Sequence, residues 1–131
     1  MRPYRADDEG LLFGVARLAF GEHDDGRTIA TLERDTVFVA ELGAEPAGYV
    51  ALEESEQAVR IEQLCVHPAH EAEGVGGQLI EWAEGWAISL GALRLEIVVE
   101  PENDRAVSFY RSRGFVPVAP ELYELVLPQG S

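Results

Sequence analysis

The stretch QLCVHPAHEAEGVGGQLIEWAEGWA, residues 63–87, decides the fold. It continues a run rich in branched residues, AVRIEQLCV at 58–66, which His67-Pro68 closes. Two carboxylates follow, Glu71 and Glu73, and then the glycine-bearing segment Gly74-Val75-Gly76-Gly77. Beyond it, Val75, Leu79, Ala83, Trp86 and Leu90 recur every three or four residues, which is the spacing of one helix face. The prediction is a strand over 58–66, a glycine turn, and a helix from Gly74 to Leu90 that Gly91 is suited to end. Trp82 and Trp86, one turn apart, read as core aromatics.

A strand that passes through glycines into a helix makes an anion site. The N–H groups of the first helical turn point outward, and the helix dipole adds partial positive charge. Glycines at 74, 76 and 77 let a ligand approach the backbone. The stretch is neither a Walker loop nor a dinucleotide fingerprint, because no GK[ST] follows and the spacing differs.

Outward from this unit, helices and strands interleave. Residues 1–5 read as a short first strand. ADDEGLLFGVARLAFGE follows with helical spacing at Leu11, Leu12, Val15, Ala16, Ala19 and Phe20, and with Asp7 and Asp8 placed to cap its start. A polar stretch holds one short helix at 27–34. TVFVAELGAEPAGYVALEE reads as two strands joined around Gly43 to Pro46. LRLEIVV, 93–99, is a further strand. ENDRAVSFYRSRGF is a capped helix, with Asn103 near its start and Gly114 past its end. FVPV and ELYELVL close the chain as strands. The expected class is mixed α/β (α+β), with a mostly antiparallel central sheet of six to seven strands flanked by about four helices. A single domain over residues 1–131 is expected.

Net charge is −14, and all ten basic residues are arginine. Nothing here would displace many counterions, so no nucleic-acid partner is expected. No apolar run approaches the roughly 20 residues that a bilayer requires, so no membrane partner is expected either. The N-terminus has no apolar h-region and Cys65 is the lone cysteine, which makes a cytoplasmic, reducing compartment the expectation. Cys65, between Leu64 and Val66, is expected as a buried packing residue. His67, His70, Glu71 and Glu73 have the chemistry of metal ligands, but HxxHExE is no established ligand spacing and no metal is expected.

The stretch 63–87 resembles the cofactor motif of the GNAT superfamily of N-acetyltransferases, in which a strand ending near V-x-P precedes R/Q-x-x-G-x-G/A. The family's second block, N-x-x-A-x-x-x-Y-x-x-x-G-F, is matched by Asn103, Ala106, Tyr110, Gly114 and Phe115. Element order agrees from end to end. The resemblance implies acetyl-CoA as co-substrate and a small-molecule or peptidic amine as acceptor, attacking directly in a ternary complex, with a homodimer possible. It implies that the backbone of Leu64, Cys65 and Val66 holds the pantetheine arm. The loop Glu71, Ala72, Glu73, Gly74, Val75, Gly76 and Gly77 would receive the pyrophosphate. Asn103 and Ala106 would lie along the cofactor arm, and Tyr110 would offer its hydroxyl to the departing sulfur.

The amine must lose a proton before it attacks, so a base is wanted. Glu62, Glu96 and Glu100 are the candidates, with Glu62 preferred. Alternation would put Glu62, Leu64 and Val66 on one face, and Glu96, Val98 and Glu100 on another. Val98 stands where family members commonly carry a glutamate. Glu71 stands where the family usually has Arg or Gln, and Glu73 adds a second carboxylate. A charge at roughly 5–6 Å from a pyrophosphate costs about 1–3 kcal/mol, so weakened acetyl-CoA binding is expected. The alternative function is a degenerate GNAT-like binding or regulatory domain whose cofactor binding these two carboxylates impair.

Overall fold

The computed structural model describes residues 1–20, 31–32, 34–43 and 45–129, and of Ala19, Phe20 and Ala72 the backbone alone. Its elements are β1 (Arg2–Pro3), a 3-10 turn (Ala6–Asp8), α1 (Glu9–Phe20), β2 (Thr36–Leu42), β3 (Glu45–Glu54) and β4 (Ala58–Val66). A second 3-10 segment (Pro68–Glu73) leads into α2 (Val75–Ser89). Then come β5 (Arg94–Val98), α3 (Asp104–Ser112), β6 (Val116–Pro117) and β7 (Leu122–Val126). The expected helix at 27–34 lies largely outside the described residues, as does Ala44 of the β2–β3 turn.

Seven strands form one sheet in the order β1-β2-β3-β4-β5-β7-β6. Every neighbouring pair is antiparallel except β4 and β5, which run parallel because α2 crosses between them. Both faces of the middle strands are covered, so β2 and β3 read as continuous apolar runs. On one face Leu12, Val15 and Ala16 of α1 pack on Val37, Val39, Tyr49, Ala51 and Cys65. On the other, Val75, Leu79, Ile80, Ala83 and Ala87 of α2 pack with Val50, Leu52, Val59, Ile61 and Leu95. Trp86 lies partly buried against this second cluster, while Trp82 is 39% exposed and touches the ring of Phe38 edge-on. Only one of the two tryptophans is therefore inside.

Asp8 ties the first elements together. Its carboxylate accepts from Arg2 Nη1 and Nη2 at 2.8 and 2.6 Å and from the Arg5 backbone N–H at 2.7 Å. Those Arg2 bonds hold its carboxyl below the usual range. No helix among the described residues is long and apolar enough to cross a membrane.

At the far end of the β3–β4 ladder, Gly48 pairs with Val66. A Cβ on Gly48 would sit 2.5 Å from the Cys65 carbonyl oxygen and 3.3 Å from Val75 Cγ1. Backbone on one side and the start of α2 on the other leave it nowhere to go. Gly48→Ala is therefore expected to cost about 1–3 kcal/mol in chemical denaturation. A loss under half a kcal/mol would mean that these elements slide apart freely.

Candidate functional site

The parallel ladder between β4 and β5 is short. It runs from Ala58↔Arg94 to Ile61↔Ile97 and stops. On its other edge β4 stays paired with β3 through Val66. Among the described residues no strand pairs with the β5-side edge of Glu62 to Val66, so the two central strands part there. An extended polar arm can lie along such an edge and use its N–H and C=O groups. Leu64 and Val66 close one wall of this opening, packed partly buried against the cluster under α2. Cys65 faces the α1 side at 1% exposure, and burial pushes its thiol up to about 12. That makes it an inert packing residue.

Glu62 stands at the point of departure. In the β3–β4 register Ala51 faces Gln63 and Leu52 faces Ile61, which leaves Glu62 as the extra residue of a bulge. The bulge breaks the alternation expected from sequence. Ile61, Leu64 and Val66 all pack toward α2, while Glu62 joins Glu53, Ser55, Arg60 and Glu96 around a cleft of about 160 Å³. Burial, a hydrogen bond with Glu53, and the charges of Glu53 and Asp35 raise the Glu62 carboxyl above its ordinary value.

The other two base candidates are placed differently. Glu96 is held by Arg60 at 3.3 Å and by Arg94 at 3.0 Å. Glu100 is exposed beyond the end of β5. A larger, mostly apolar cleft of about 500 Å³ opens between α1 and the start of β3, and only His67 relates it to the glycine loop.

At the loop, Gly74 has φ +78°, a left-handed conformation that favours glycine, and it caps α2 without any side-chain bond. The first turn of α2 carries no acidic residue. Gly76 and Gly77 serve close packing as well as backbone access. A Cβ at Gly76 would meet the Phe109 ring at 3.3 Å, and one at Gly77 would collide with the Arg113 guanidinium.

The two loop carboxylates have partners. Glu71 Oε2 lies 3.7 Å from Arg105 Nη2, and Glu73 Oε2 lies 2.8 Å from His70 Nδ1. His67 Nδ1 accepts from the Ala69 N–H at 3.0 Å and caps the 3-10 segment. Among the described residues no three metal-binding side chains converge.

Arg105 is the residue that sequence reasoning missed. Its signal was its place two residues after Asn103, at the start of α3, whose approach to the loop only the fold reveals. Arg105 meets the 3-10 segment at Glu71, and the Arg113 guanidinium lies beside Gly77 at the start of α2, where it also pairs with Glu81 at 3.2 Å.

Asn103 is first of all a helix cap, since its Oδ1 accepts from the Ala106 N–H at 3.2 Å. Its amide NH₂ makes no bond among the described residues. Tyr110, on the next turn after Ala106, is buried with its ring against Phe109 and Phe115. Its hydroxyl bonds to no described residue. Burial raises the phenol and keeps it protonated.

Residues 6–115 match the model of the Acetyltransferase (GNAT) family. An uncharacterized N-acetyltransferase of Methanocaldococcus jannaschii is 31% identical over 90 residues, covering 63% of this chain and 40% of that protein. The chain spans less than two thirds of the curated relatives it matches. Among solved structures, the ribosomal-protein-S18-alanine N-acetyltransferase of Escherichia coli superposes with a TM-score of 0.84 at 16% identity, over 98% of this chain and 94% of that one. The PaiA N-acetyltransferase of Thermoplasma acidophilum, in complex with coenzyme A, superposes at 0.80 with 18% identity, over 95% and 96%. At these identities the structures share the fold.

Proposed function

Because the chain belongs to the GNAT family of acetyltransferases, whose co-substrate is acetyl-CoA, we propose that it transfers an acetyl group to a primary amine by direct attack in a ternary complex. The observation that carries this reading is the parting of β4 from β5 after Ile61↔Ile97, with Glu62 at the bulge and the Gly74 cap beyond it. The residues present fit the co-substrate: an open strand edge suits an amide-bearing arm, and a glycine-capped helix start suits a pyrophosphate.

The backbone of Leu64, Cys65 and Val66 would hold the arm. The loop from Glu71 through Ala72, Glu73, Gly74, Val75 and Gly76 to Gly77 would hold the phosphates, and Asn103 and Ala106 would flank the arm. Acetyl-CoA supplies the acetyl group activated as a thioester. Glu62 takes the first proton from the acceptor's ammonium, which leaves the nitrogen lone pair free to form the new C–N bond as the C–S bond breaks. Tyr110 Oη donates to the sulfur that departs, and the second amine proton ends on the thiol. One proton is released through Glu62 to solvent.

The degenerate alternative rested on Glu71 and Glu73, and their pairing with Arg105 and His70 weakens its premise. Calorimetric titration of acetyl-CoA tests the reading directly. Wild type is expected to bind in the micromolar range. Glu71→Arg should tighten binding about fivefold at the same ionic strength, corresponding to about 1 kcal/mol across a screened, solvent-exposed distance. Absence of binding by either protein at millimolar acetyl-CoA would overturn the proposal.

A further inference from the structure

The loop and first turn of α2, Glu71 to Gln78, read EAEGVGGQ and contain no arginine. Cations reach them from α3 instead. Arg105, Phe109 and Arg113 follow at intervals of four residues, so they share one face of that helix and its C-terminal cap. They meet the loop in order. Arg105 Nη2 lies 3.7 Å from Glu71 Oε2, the Phe109 ring faces Gly76, and the Arg113 guanidinium lies beside Gly77.

Gly77 shows what this docking needs. Its φ is not positive, so the backbone there suits any residue, and glycine is a poor choice inside a helix. Space explains it, because the atom nearest to a Cβ at Gly77 would be Arg113 Nη2. The same guanidinium is steadied from two other sides. Nη1 donates to Glu81 Oε1 at 3.2 Å, and Cζ stands 5.8 Å from the centre of the Phe109 ring. Nη2 is thereby turned toward the first turn of α2, whose N–H groups have no partner within the helix. A guanidinium beside such N–H groups adds a full charge and directed donors to a dipole that supplies about half a charge.

We propose that Arg105 and Arg113 bind the pyrophosphate of acetyl-CoA from α3, taking the place of the cation that the loop lacks, and that Gly77 is there to admit Arg113. This rests on the reading that residues 71–77 receive the phosphates. Arg113 contributes more, because its side chain is 34% exposed and held in place. Arg105 is 87% exposed and shares its charge with Glu71, so water and salt screen it further. The loop then supplies backbone donors and the neighbouring helix supplies the charge.

The test is equilibrium binding without turnover, with acetyl-CoA and dephospho-CoA, which lacks the ribose phosphate, titrated separately into the full chain at low and at molar salt. Arg113→Gln is expected to weaken both ligands about tenfold and Arg105→Gln about threefold, and molar salt should shrink both deficits. Gly77→Ala favours the helix but pushes the guanidinium aside. It should weaken binding about fivefold in the wild-type background and less than about twofold beside Arg113→Gln. Thermal midpoints recorded alongside show that each variant is folded. Unchanged affinity in Arg113→Gln, or the same Gly77→Ala loss with and without the arginine, would overturn the inference, while tight wild-type binding leaves the acetyltransferase reading standing. A deficit seen with acetyl-CoA and absent with dephospho-CoA would move the arginines to the ribose phosphate and sink the assignment to the pyrophosphate. No binding by wild type at millimolar acetyl-CoA would end both readings together.

Discussion

Glu62→Gln is expected to lower kcat by about two to three orders of magnitude at neutral pH, the range that a positioned general base contributes. Acetyl-CoA affinity should not change, because the loop from Glu71 to Gly77 is untouched. The protein should also stay folded. Glu62 has a raised carboxyl, so its protonated form is the one that the fold favours. Its contribution to stability is present at low pH and is lost as pH rises through the raised value. At neutral pH glutamine therefore removes a cost rather than a support.

The pH dependence follows with the opposite sign. A base acts only when ionised, so kcat should fall as pH drops through the raised Glu62 pKa and reach a plateau above it. Glu53→Gln removes one neighbouring negative charge, and the fall should then move to lower pH. A pH–rate profile of the two variants beside wild type checks both statements. An unchanged kcat in Glu62→Gln would place the base elsewhere. Glu96, locked between Arg60 and Arg94, would have to be freed first to serve.

Tyr110→Phe should cost about a hundredfold in kcat with little change in the KM for acetyl-CoA. Phenylalanine keeps the ring contacts with Phe109 and Phe115, at centroid distances of 5.2 and 5.5 Å, so thermal stability should hold. What is lost is a hydroxyl that bonds to no described residue and that burial keeps protonated. A donor to the departing sulfur matters most when the thiol is a poor leaving group. The deficit should therefore shrink with an acyl donor whose thiol is more acidic. An equal deficit for both donors would assign Tyr110 to packing alone.

Much of this site was legible before any fold was known, because its signals are local. The strand 58–66 is bounded by its own composition and by His67-Pro68, and the structure places β4 at the same residues. Gly74 marks the start of α2 because a left-handed cap needs glycine, and Asn103 marks the start of α3 because its side chain caps the first turn. Gly91 and Gly114 end their helices for the same reason as Gly74 begins one, with φ of +78° and +95°.

Tertiary structure alone decided the rest. The order β5-β7-β6 at one edge of the sheet depends on which strand reaches β5 first, and no local pattern states that. Alternation along β4 assumed an unbroken pleat, and one extra residue opposite Ala51 and Leu52 turned Glu62 away from Leu64 and toward Glu53. Arg105 answers Glu71 across 34 positions of chain, and Asp35 is set beside Glu62 across 27. Sequence by itself determined the elements, the glycine cap and the residue types on hand, since turns, caps and periodicity are properties of neighbours. Which charges meet was decided by register between distant strands, and that register is set only when the whole sheet closes over its two cores.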